Sequence, residues 1–235
     1  EPRERWAISN AVGRFSISPD GKLLARSREL SKDKWVVVIE DVSGDKPVER
    51  WTLDAPPEGY RVPPETVQTW SPDGKTLAVG YIGGWGQSAI RFWDLGGPTP
   101  KPLGYLELFG DFRIPMAFSP DGKTFASSSS HSGVFLWDVE KATKQRGGHS
   151  RTETDPQFQA RIWKWEPPGA VNHLSFASDG RHLITANYNG TAYVLRPALV
   201  PSEARVNQPD ADRKAAEYIL SIGGKIGLTG IQDNA

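Results

Sequence analysis

The chain has 235 residues, with 28 Lys and Arg against 28 Asp and Glu, so its formal net charge is zero. That length can bury a real core as one or two domains, and charges of both signs in balance argue against a nucleic-acid or other polyanion binder. Cysteine is absent, which rules out disulfides and thiolate metal sites, and no apolar run reaches the roughly 18 residues of a membrane span.

Nine tryptophans against one methionine suit a β-protein whose sheets pack face to face through large rings. The chain opens at Glu1 with no visible secretory signal, and the expected compartment is the cytoplasm.

In chain order, residues 5–8 (Arg-Trp-Ala-Ile) read as a short strand. Phe15-Ser-Ile-Ser-Pro-Asp-Gly-Lys-Leu-Leu-Ala25 then reads as strand, turn, strand. Pro presets φ, the Asp side chain caps the turn, and Gly takes the positive-φ position. A β-rich run over 35–41 closes the unit. The same unit returns at Val67-Gln-Thr-Trp-Ser-Pro-Asp-Gly-Lys-Thr-Leu-Ala78, closing on Ala89-Ile-Arg-Phe-Trp-Asp94. It returns again at Phe118-Ser-Pro-Asp-Gly-Lys-Thr-Phe-Ala126, closing on Val134-Phe-Leu-Trp-Asp138. A fourth copy, Val171-Asn-His-Leu-Ser-Phe-Ala-Ser-Asp-Gly-Arg-His-Leu183, closes on Thr191-Ala-Tyr-Val-Leu195. Between the copies lie candidate outer strands at 49–53, 103–108 and 161–166. Pro-rich links at 55–59 and 62–65 read as stiff surface loops. Repeats of roughly 40 to 60 residues built of short strands point to a propeller or another radial array.

Ser-Pro-Asp-Gly-Lys followed by Phe-Trp-Asp-Leu95 or Leu-Trp-Asp-Val139 resembles the WD40 repeat. The resemblance covers residues 5–196. The first copy departs from it at Glu40-Asp41 and the fourth at Leu195-Arg196. The TolB-like propeller shares Ser-Pro-Asp-Gly-Lys but usually lacks Trp-Asp. The resemblance implies an all-β chain of WD40-type propeller blades: four repeats at 12–53, 66–108, 114–165 and 170–196 within residues 1–200. The expected assembly is an incomplete ring, completed by upstream blades or by two half-rings joining; closure of a four-bladed ring by residues 5–8 is the alternative. A linker at 201–211 precedes a helical tail at 212–235, which resembles the entry to the leucine-rich-repeat segments of some bacterial multidomain proteins. Residues 144–159 read as an inserted loop, although Gly148-His149 resembles the Gly-His pair that precedes a WD40 first strand.

No catalytic constellation is visible. His131, His149, His173 and His182 have no metal-ligand spacing, and a structural role is expected for His173 and His182. The serines at 127–130 sit in no nucleophile elbow, and no phosphate loop occurs. No cofactor, metal or catalytic residue is expected. WD40 blades often carry a buried Asp–His–Ser/Thr–Trp network. Its loop Asp aligns with Ser130 in the third copy and with Tyr188 or Asn189 in the fourth, so the blades are expected to rely mainly on apolar packing. The resemblance implies a non-catalytic protein-interaction scaffold, with neither nucleic acid nor membrane as partner. Its contacts are expected from the loops near 82–87, 130–133 and 188–190, with Trp85, His131 and Tyr188 as candidate protein-binding residues. Alternatives are a recruiting propeller of a larger enzyme, such as a bacterial serine/threonine kinase, and a TolB-like ligand-binding propeller.

Overall fold

The computed structural model describes residues 14–84, 86–109, 114–129, 133–145 and 160–197. The expected strand at 5–8, the tail at 212–235, Gly148-His149 and most of the 144–159 loop lie outside them.

The described residues form four antiparallel sheets, each built from consecutive strands in simple meander order. The first holds β1 (Phe15–Ile17), β2 (Leu23–Ser31), β3 (Lys34–Asp41) and β4 (Val48–Leu53). The second holds β5 (Gln68–Trp70), β6 (Thr76–Ile82), β7 (Gln87–Asp94) and β8 (Lys101–Phe109). The third holds β9 (Met116–Phe118), β10 (Thr124–Ser129), β11 (Gly133–Asp138) and β12 (Arg161–Trp165). The fourth has three strands, β13 (Val171–Phe176), β14 (Leu183–Asn187) and β15 (Ala192–Leu195). One short helix, α1 (Val139–Ala142), follows β11, capped by the Asp138 side chain accepting from the Lys141 amide at 3.0 Å. The helix among the described residues is therefore inside the third repeat.

The inner strands lie side by side in chain order, β1 beside β5, β5 beside β9, β9 beside β13. Each sheet is thus a blade with both faces available for burial, which explains near-continuous apolar runs such as Val36-Val37-Val38-Ile39. Three apolar seams result. Ala25, Val37, Ile39 and Leu53 meet Trp70, Leu77, Val79 and Tyr81 between the first two blades. Ala78, Ile90, Phe92 and Leu106 meet Met116, Phe118, Phe125 and Trp137 in the second seam, where Phe92, Phe118 and Phe125 stack edge to face. Ala126, Val134 and Leu136 meet Leu174, Leu183 and Leu195 in the third.

The repeated turn shows why the motif recurs. Ser18, Ser71 and Ser119 each donate through Oγ to the Asp two residues on, at 2.6 Å, and accept the amide five residues on. The same Asp Oδ1 also accepts the amide of the following Lys. The glycines between them take φ of +73°, +69° and +70°. In the fourth copy Ala177 replaces the serine. Asp179 turns instead to His182, whose Nδ1 lies 2.7 Å from Oδ2, so this buried histidine is a turn partner. The prolines act between blades as well: a Cβ on Gly74, Gly122 or Gly180 would sit 3.6–3.7 Å from Pro19, Pro72 or Pro120 of the preceding blade.

One expectation changes. The Pro-rich link over 55–66 is not merely a surface loop, because Pro57, Tyr60, Val62 and Pro63 are buried and Tyr60 donates to Glu107 at 3.1 Å. Beside the apolar seams, each of the first three blades carries a polar link. Trp137 Nε1 donates to Ser127 Oγ at 2.9 Å in the third blade, and Trp93 Nε1 to the Tyr81 hydroxyl at 3.1 Å in the second. In the first blade Glu40 takes the Trp position and grips Arg26 with two hydrogen bonds at 2.8 and 2.9 Å.

Candidate interaction surface

Each hairpin joining a blade's second and third strands turns at the same end of the array. The inter-blade links return to that end too: Arg61 bridges Ile82, and the Tyr188 amide donates to the Ala170 carbonyl at 3.0 Å. The backbone there is tightly held. A Cβ on Gly83 would press against the Tyr60 ring at 3.0 Å, and one on Gly133 would overlap the Trp165 carbonyl. In the fourth hairpin Asn189 Oδ1 accepts from the Thr191 amide and hydroxyl, and Gly190 takes φ of +79°.

Of the three candidate protein-binding residues, Tyr188 is placed on this rigid turn with 60 % of its surface exposed. Trp85 and His131 lie outside the described residues. A large aromatic held on a fixed backbone loses little freedom on docking, the property of an interface anchor.

A second feature was not visible as a site in the sequence. Glu58, Arg91, Pro102, Leu103, Gly104, Tyr105 and residues 143–145 line a cleft of about 630 Å³ along the outer edge of the second blade. Its wall is built because the backbone after α1 docks on β8: the Gly104 amide donates to Thr143 O at 2.6 Å and the Tyr105 amide to Gln145 O at 2.9 Å. Only glycine permits this at position 104, where a Cβ would overlap the Gln145 and Ala142 backbone. Arg91 stacks 5.2 Å from the Tyr105 ring and donates to Ala55 O at 2.6 Å. Burial pushes the Arg91 pKa down and that of Tyr105 up. The sole sequence signal was one arginine inside the apolar run Ala89-Ile-Arg-Phe-Trp-Asp94.

Among the described residues no group of three or more His, Asp or Glu side chains is arranged to hold a metal ion. No described helix is long and apolar enough to cross a membrane.

Radially stacked meanders of this kind, three of four strands and one of three among the described residues, define a β-propeller architecture. The family model described as "WD domain, G-beta repeat" matches residues 116–138 and 160–194, the core of the third blade and most of the fourth. The chain is 26% identical over 152 residues to the target of rapamycin complex subunit wat1 of Schizosaccharomyces pombe, covering 54% of this chain and 47% of that protein. It is 27% identical over 173 residues to the ciliary WD repeat-containing protein ctxp80 of Euplotoides octocarinatus, covering 66% and 23%. A chain of Kuenenia stuttgartiensis hydrazine synthase superposes with a TM-score of 0.55 at 20% identity, covering 79% of this chain and 58% of that one; this likeness concerns fold alone. The family model and the WD-repeat relatives together support the WD40 repeat family. The chain spans less than half the length of the curated relatives it matches.

Proposed function

We propose that this chain is a non-catalytic protein-interaction scaffold that docks partners on the hairpin end of its blades. The observation that carries the reading is Tyr188, an exposed aromatic on a turn whose backbone is held from both sides. The relatives lend support: wat1 is by name a subunit of the target of rapamycin complex. A cytoplasmic setting belongs to the same reading. Partners would be proteins, with recognition by loop side chains on a frame that does not move.

Tyr188→Ala tests it. The variant should keep the wild-type melting temperature, because the ring packs on little. It should weaken binding to a partner identified by cross-linking by about 2 kcal/mol, roughly 30-fold in Kd, the size of an aromatic hot spot. Unchanged affinity would remove the hairpin end as the docking face.

A further inference from the structure

Resting on the interaction reading and deepening it, we propose that the outer-edge cleft of the second blade is a docking site for a protein segment presenting a carboxylate side chain, with Arg91 as its anchor. The argument begins with an imbalance of charge. Arg26 is paired with Glu40, Arg28 with Glu49, and Arg181 lies 3.9 Å from Asp179. Arg91 is half-buried, yet its partners among the described residues are the Ala55 carbonyl and the Tyr105 ring, and its Nε is buried with no acceptor. A guanidinium removed from water without a counter-charge is costly, and an arriving carboxylate relieves that cost through charge-assisted hydrogen bonds.

The rest of the cleft narrows the class. Lys144 at the rim is already paired with Glu140 at 2.7 Å and Glu58 faces the same cleft, so Arg91 is the one lining cation without an ion-pair partner among the described residues. That suits a single carboxylate better than a phosphate dianion or a nucleic-acid backbone. Pro102, Leu103 and the Tyr105 ring supply apolar lining for the neighbouring side chain. The volume of about 630 Å³ lies within the range of ligand pockets, roughly 300–1,000 Å³, and admits a few residues of a peptide turn. Strand addition at this point is closed, because the Gly104 and Tyr105 amides already serve Thr143 and Gln145. Recognition therefore falls to side chains.

The test is a titration of the ¹⁵N-labelled full chain with two blocked peptides, acetyl-Gly-Gly-Glu-Tyr-Gly-Gly-amide and its Gln counterpart. The Glu peptide should shift the Arg91 Nε–Hε resonance and the amides of Gly104, Tyr105, Thr143 and Lys144, and bind at least about tenfold tighter than the Gln peptide, the effect of a hydrogen-bonded charge. Arg91→Met should abolish the shifts. Glu58→Gln, a change on an exposed side chain that removes the opposing charge of the cleft, should tighten the Glu peptide and not the Gln peptide. Equal response to both peptides, shifts elsewhere on the surface, or indifference to Glu58→Gln would overturn the proposal. If Tyr188→Ala still weakens partner binding in that event, the cleft is lost and the scaffold reading stands. If cleft binding holds while Tyr188→Ala changes nothing, the hairpin end is lost and the cleft remains.

Discussion

Arg26 and Glu40 occupy a place that the second and third blades give to apolar or hydroxyl chemistry. Arg26 aligns with Val79 and Ser127, and Glu40 with Trp93 and Trp137. Both side chains are about nine-tenths buried, and the pair is bidentate. Arg26 Nη1 is buried with no partner, so the pair is imperfectly satisfied. Removing one partner strands a buried charge, whereas removing both removes the desolvation cost as well. Glu40→Gln or Arg26→Met is accordingly expected to cost about 3–5 kcal/mol in urea unfolding. The double variant Arg26→Val with Glu40→Trp, which installs the residue types of the second blade, should cost far less than the sum. Additive losses in the double-mutant cycle would contradict this account.

At the scale of the element, the repeated turn carries a pH dependence. The Asp73 and Asp121 carboxyls are pushed up by burial, but the Ser hydroxyl and Lys amide they accept outweigh it and hold them below the usual value of 3.8. Asp179 is pushed up by burial in the same way and held low by the Arg181 amide and by His182. A carboxyl depressed in the folded state contributes stability that is fully present above its unfolded pKa and lost as pH falls through the folded value. Acid unfolding is therefore expected to steepen below about pH 4. Asp73→Asn should flatten that limb while lowering stability at neutral pH. A limb unchanged in the variant would show that other groups set it.

At the scale of the whole molecule, one register position has two fates. Ile17, Trp70 and Phe118 are equivalent on their inner strands, yet Ile17 is 56 % exposed while Trp70 and Phe118 are 7 % and 8 % exposed. Phe15, two residues before Ile17, is 66 % exposed. The difference is the neighbour: each later inner strand leans on the blade before it, and Trp70 Nε1 reaches the Ser16 carbonyl at 3.3 Å. Phe118→Ala is thus expected to cost about 3–5 kcal/mol and Ile17→Ala under about 0.5 kcal/mol in the same chain. A large loss from Ile17→Ala would mean that this face is covered in solution.

By itself the sequence determined the strands, their order, the turn chemistry and the closing runs, because a meander is made of contacts between neighbours in the chain. Alternating side chains and a Ser-Pro-Asp-Gly turn leave little freedom over such short spans. Three matters waited for the tertiary structure, each resting on residues far apart in sequence. Blade stacking put Pro19 against Gly74 and turned a φ-setting residue into an inter-blade contact. The fit of Tyr60 beneath Gly83 drew a link that reads as surface loop into the core. The cleft draws on the link at Glu58, on β7 and β8, and on the backbone after α1, so beyond the lone arginine in an apolar run no local pattern announces it. A site assembled from separate elements depends on how whole blades pack, and packing is decided only when all the buried faces are present together.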